Sequence, residues 1–113
     1  MYASTILVVS HVFVGMIEII LGMPLLLGKI KRNIFYGFRT PKTLSDDKIW
    51  EESNKKVGKD LIMAGVILTI ASLLLFFVKD SISIETLLII CLILLFVPII
   101  AVIIRGLSYL KTL

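Results

Sequence analysis

Three stretches of this chain carry almost no charge, and each is about as long as a membrane is thick. Residues 6–27 contain one acid, Glu18, and one histidine, His11. Residues 61–78 and 86–104 contain no charged residue. A helix needs roughly 20 apolar residues to cross a hydrocarbon core of about 30 Å. None of the three stretches alternates apolar and polar residues as a barrel strand does. In lipid every backbone group must be paired within its own segment, so three helices follow. Composition points the same way. Of the 113 residues 58% are hydrophobic and the mean hydropathy is +1.06, against about 45–50% apolar residues in soluble domains. A soluble fold of this size cannot hide so much apolar surface, and a disordered chain would need low hydrophobicity. One cysteine, Cys91, excludes an internal disulfide framework; it is read as a small packing residue in the third span. The expected fold class is all-α: an integral membrane bundle of three transmembrane helices, forming one domain over residues 1–113.

The net charge of +4 is a matter of placement. Segment 29–60 holds Lys29, Lys31, Arg32, Arg39, Lys42, Lys48, Lys55, Lys56 and Lys59, and the C-terminal tail holds Arg105 and Lys111. The short loop between spans two and three holds only Lys79, beside Asp80 and Glu85. Basic residues in short flanks mark the cytoplasmic side. The expectation is a multi-pass protein of the cell membrane with its N-terminus outside and its C-terminus in the cytoplasm. Residues 29–60 are then a cytoplasmic loop and 79–85 an outer turn. The first apolar run has no Lys or Arg ahead of it, unlike a secretory signal peptide, and is read as a retained helix. Flanking basic residues touch anionic head groups of membrane lipids. Asp46, Asp47, Glu51, Glu52 and Asp60 dilute any phosphate-binding field, so no nucleic-acid partner is expected.

The loop has two parts. Ile34-Phe35-Tyr36-Gly37-Phe38 is aromatic and suits the bilayer interface. In Arg39-Thr40-Pro41 the proline pushes Thr40 toward an extended conformation, and this piece is expected to be non-helical. From Ser45, a good N-cap with Asp46 and Asp47 in the first turn, the pattern predicts an amphipathic helix over about 46–58. Trp50, Asn54 and Gly58 recur every four residues on one face. Glu51–Lys55 and Glu52–Lys56 stand in the favourable order on other faces. That helix either lies near the membrane or docks under the bundle, and it can run on through Lys59 into span two, with Gly58 as a bend.

Gly37-Phe38-Arg39-Thr40-Pro41, a Ser/Asp-rich step, and then Trp50, Asn54 and Gly58 ahead of a membrane helix resemble the signature of the SdpI family. These are small bacterial and archaeal integral membrane proteins. The family is named for an immunity protein against a secreted killing peptide, one that also signals to a transcriptional repressor. The resemblance implies a non-enzymatic membrane protein that gives immunity to, or senses, a membrane-active peptide toxin. Its implied partners are a peptide toxin or a cytoplasmic regulator.

Polar residues inside the spans are the other candidates. A charge at mid-membrane costs about 2.5–3.5 kcal/mol on insertion scales and faces protein or water. His11, Gly15, Glu18 and Gly22 form one stripe of span one; Gly65, Thr69 and Ser72 form a small-polar face of span two. Small faces let helices approach closely in lipid, so the two stripes are expected to pack together with Glu18 inside. Glu18 either titrates, binds a cationic group or senses a peptide, or it is held structurally by Thr69, Ser72, His11, Arg39 or Arg105. Pro24 and Pro98 are expected to bend their helices, and Gly28 to stop the first. Arg39 could grip a phosphate head group, the acids of the Trp50 helix or Glu18; the favoured reading is a contact linking loop to bundle. Trp50 is read as an interface anchor or a lid, and Asn54 as a partner of the Arg39-Thr40-Pro41 turn. The binding candidates are therefore Glu18, Arg39, Thr40, Pro41, Trp50 and Asn54. There is no catalytic set, no cofactor motif and no metal site, since one histidine and one acid fall short of the three or four ligands zinc takes. Two alternatives are a small proton-coupled multidrug exporter using Glu18 and an accessory subunit of a larger membrane complex. Three helices make a thin bundle, so a homo-oligomer or a membrane partner fits each reading.

Overall fold

In a computed structural model, which describes residues 2–113, the chain forms four helices and no strand among the described residues: α1 (Tyr2–Leu26), α2 (Pro41–Ser45), α3 (Asp47–Val78) and α4 (Ile84–Leu110). α1, α3 and α4 are each long and apolar enough to cross a membrane. The molecule is a rod of 51 × 22 × 19 Å. The apolar excess is on the outside: Phe13, Ile20, Leu74, Phe77, Ile93 and Phe96 are all exposed, as befits side chains solvated by lipid.

What holds the rod together is an antiparallel contact between α1 and α3, the most extensive in the fold. α1 turns Ser4, Val8, His11, Gly15, Glu18, Gly22 and Leu25 inward, and α3 turns Trp50, Asn54, Gly58, Gly65, Leu68 and Ser72 inward. Glycines set the spacing. A Cβ on Gly65 would stand 2.5 Å from the Gly15 carbonyl oxygen and 3.0 Å from the Glu18 Cβ; one on Gly58 would stand 2.6 Å from the Leu26 nitrogen. In lipid there is no hydrophobic force between helices, and close van der Waals contact across small residues takes its place. The small-polar stripes of the first two spans do pack on each other, with Glu18 between them and 7% exposed.

Each helix end has a local cause. α1 closes in a Schellman motif: Gly28 takes φ +69, its N–H bonds the Leu25 carbonyl at 3.1 Å, and the Lys29 N–H bonds the Pro24 carbonyl at 3.0 Å. α4 opens on Ser83, whose hydroxyl accepts from the Thr86 N–H at 3.2 Å. At the turn between α3 and α4, Ser4 donates to Asp80 at 3.0 Å and Lys79 pairs with Asp80 at 2.7 Å. Leu87 and Cys91 of α4 pack on Val8 of α1, so Cys91 is a packing residue.

Two expectations about the loop are corrected. Pro41 does not continue a non-helical stretch; it opens α2. Thr40 is extended, at φ −132 and ψ 165, and caps the helix through a reciprocal box with Thr43. A proline fits the first turn of a helix, where no N–H is needed. Ser45 therefore belongs to α2, with its hydroxyl on the Lys42 carbonyl at 2.6 Å, and Asp46 caps α3 by accepting from Lys48 and Ile49. The helix expected over about 46–58 is present and takes the second of its two courses: α3 runs unbroken from Asp47 through Lys59 and the apolar span to Val78. Gly58 does not break it; its missing side chain admits α1.

Gly65→Ala is expected to lower stability by about 1–3 kcal/mol through overpacking, read by thermal unfolding in detergent. Leu74→Ala, exposed to lipid, should stay within ~0.5 kcal/mol. The Lys79 ammonium and the Ser4 hydroxyl hold the Asp80 carboxyl below its ordinary 3.8. A depressed carboxyl stabilises the fold above its ordinary range and loses that contribution as pH falls through the lowered value. Asp80→Asn is thus expected to cost a little stability at pH 7, with the difference from the parent protein closing below pH 3.8.

Candidate functional site

The loop residues singled out in the sequence meet at one end of the rod. Trp50 and Asn54 lie one turn apart on α3, 2% exposed each. The Trp50 indole N–H donates to the Ile30 carbonyl at 2.8 Å, so the first part of the loop is drawn back over α3. The Asn54 side chain acts as a clamp. Its Oδ1 accepts from the Phe38 N–H at 2.6 Å, and its Nδ2 donates to the carbonyls of Trp50 at 2.9 Å and Phe38 at 3.4 Å. Gly37 passes directly over this pair at φ +122, where a Cβ would stand 2.8 Å from Asn54 Oδ1 and 2.9 Å from the Trp50 ring. Only glycine meets both demands, positive φ and no side chain.

Past Gly37 the chain dives into the bundle. Phe38 packs on Val57, Ala64 and Val102, with Gly106 of α4 making room for its ring. Thr43, fully buried, donates to the Phe38 carbonyl at 2.9 Å, and Lys42 donates to the Leu110 carbonyl at the end of α4 at 2.9 Å. Tyr36 donates to the Leu21 carbonyl of α1, beside the turn where Pro24 lacks a donor for Ile20. Asn33 ties the remaining turn together by accepting from the N–H groups of Phe35 and Tyr36. The result is a plate fastened to α1, α3 and α4.

Arg39 does not link this plate to the bundle. It is exposed, and its guanidinium bonds the Ile34 carbonyl within the loop. Nor does Glu18 have any of its expected partners. His11 uses Nδ1 on the Leu7 carbonyl at 2.8 Å, while His11 Nε2, Thr69 Oγ1 and Ser72 Oγ are buried without a hydrogen bond. Among the described residues the Glu18 carboxyl has no hydrogen bond or ion pair. Thr40 and Pro41 build α2, and Asn54 grips Phe38 rather than the Arg39-Thr40-Pro41 turn. Glu18, in the seam between α1 and α3, is thus remote in sequence and role from the other five.

One cluster had no sequence-level candidate. Asp60, 5% exposed, receives Arg105 of α4 at 2.9 Å and Lys56 of its own helix at 3.0 Å. This ion triad ties α3 to α4 where the apolar stretches end. The Lys56–Asp60 spacing of four was visible; the partner 45 positions away was not. No group of three or more metal-ligating side chains occurs among the described residues.

A model of the SdpI/YfhL protein family matches residues 29–104. The chain belongs to this family. The match begins with the plate and covers α3 and most of α4, and α1 precedes it. Neither a curated protein nor a solved structure matches the chain. In this SdpI-family membrane protein the signature glycine, tryptophan, asparagine and Thr-Pro step are therefore the parts of a built interlock between loop and helices.

Asn54→Ala would leave the Phe38 N–H without an acceptor, at a cost of about 1–3 kcal/mol. The expected outcome is a lower melting temperature together with faster tryptic cleavage at the basic residues of 29–42. Unchanged cleavage would show that the clamp does not hold the loop.

Proposed function

We propose that this protein is a non-enzymatic SdpI-type protector, giving immunity to or sensing a membrane-active peptide. Its loop and C-terminus face the cytoplasm, as the basic residues of segment 29–60 favour. The observation that carries the reading is the unbroken course of α3, which joins the seam around Glu18 to the loop plate in one rigid element. A peptide entering from the membrane meets Glu18 as an unpaired acid between two closely packed helices. A cationic group on the peptide gives that acid its partner. Any resulting shift of α1 along α3 is felt at the Leu26–Gly58 contact and at Tyr36, both next to the plate. The plate then presents its altered face, including exposed Arg39, to a cytoplasmic partner. Trp50 and Asn54 keep the plate coupled to α3, and Thr40 and Pro41 shape its outer rim.

The test is expression in a host sensitive to membrane-active peptides, with membrane levels monitored. The wild type is expected to raise survival against at least one cationic peptide. Glu18→Gln should return survival toward the empty-vector level at an undiminished membrane level. Unchanged killing across a broad panel contradicts the reading. Proton movement by the reconstituted protein that Glu18→Gln abolishes would instead favour a proton-coupled exporter.

A further inference from the structure

At the end of the rod that carries the plate, α3 and α4 leave a cleft of about 240 Å³ between them. Its walls include Met63 and Ile67 of α3 and Pro98 and Ala101 of α4, and Asp60 and Arg105 stand at its mouth. Met63 and Ile67 are 54% and 50% exposed, so the trough opens sideways, toward the lipid. It runs along the part of α3 and α4 within the apolar stretches and ends where they end.

The mouth is unusual in its charge. Arg105 uses Nε and Nη2 on Asp60, while Nη1 has no protein partner among the described residues, and the side chain is 60% exposed. Lys56 also spends its ammonium on Asp60. Two cations share one carboxylate, so the triad keeps one net positive charge. An apolar trough open to acyl chains thus ends at a positioned guanidinium with a free donor edge. Guanidinium binds phosphate oxygens through such an edge.

We infer that this cleft is a binding site for a membrane phospholipid with an anionic head group, its acyl chain along Met63, Ile67, Pro98 and Ala101 and its phosphate on Arg105. The Asp60 carboxylate holds the guanidinium at the mouth, and the lipid's charge completes the neutralisation that Asp60 leaves unfinished. The site is independent of any peptide binding at Glu18.

Native mass spectrometry of the full chain, released from detergent after exchange into mixed phosphatidylglycerol and phosphatidylcholine, tests it. The wild type is expected to retain one phospholipid, with phosphatidylglycerol favoured about fivefold, the effect of one basic residue near a surface. Ala101→Phe, which fills the trough without touching a charge, should abolish retention with helical content unchanged. Arg105→Gln should erase the preference between head groups, and Arg105→Lys should keep it. Retention that Ala101→Phe leaves intact, equal retention of the two lipids by the wild type, or a lipid-free dimer seated on this face would overturn the assignment.

Discussion

The close approach of α1 and α3 is the contact on which the rest of the structure depends. Two helices in lipid gain nothing from hiding leucines, because lipid solvates leucine as well as protein does. They gain from backbones that come near enough for dense packing. Gly15 against Gly65 and Gly22 against Gly58 supply that nearness at two levels of the rod. Glu18 lies between those levels, which is why a carboxyl can sit at membrane depth while 7% exposed. α4 is added to this pair by weaker means: Val8–Leu87–Cys91 at the turn end and Phe38–Val102 with the Asp60–Arg105 pair at the other.

The same register explains the family segment. Gly58 belongs to the glycine pairs that seat α1, and it shares a helical face with Trp50 and Asn54. One face of α3 therefore binds α1 in its apolar part and the loop in its polar part, without a break between them. Loops carry backbone groups that must be paired somewhere. Here Asn54, Trp50 and Thr43 pair those of Phe38 and Ile30, so a segment rich in Lys and Arg becomes a fixed surface rather than a tether.

Much of this was legible in the sequence. Uncharged stretches near the thickness of a bilayer dictate helices, and the four-residue recurrence of Trp50, Asn54 and Gly58 marks a buried face. The stripe through Gly15 and Glu18 marks the seam. What was not legible is instructive. Pro41 reads as a helix breaker until its place in the first turn is known, and then it is a helix starter, which moved the cap of α3 from Ser45 to Asp46. Arg39 carries the family motif but bonds only its own loop; motif membership says nothing of direction. Asp60 looked like one loop acid among five, because its decisive partner, Arg105, comes from the far end of the chain, and no local periodicity reports a pairing of that range.

α3 carries both the seam and the loop plate on one continuous helix. Amide hydrogen exchange in detergent or nanodiscs measures this directly. The amides of 47–60 are expected to be protected as strongly as those of 61–70, with the Phe38 amide protected alongside them. Rapid exchange across 47–58, with protection beginning only near Leu61, would show a separate surface helix and contradict that continuity.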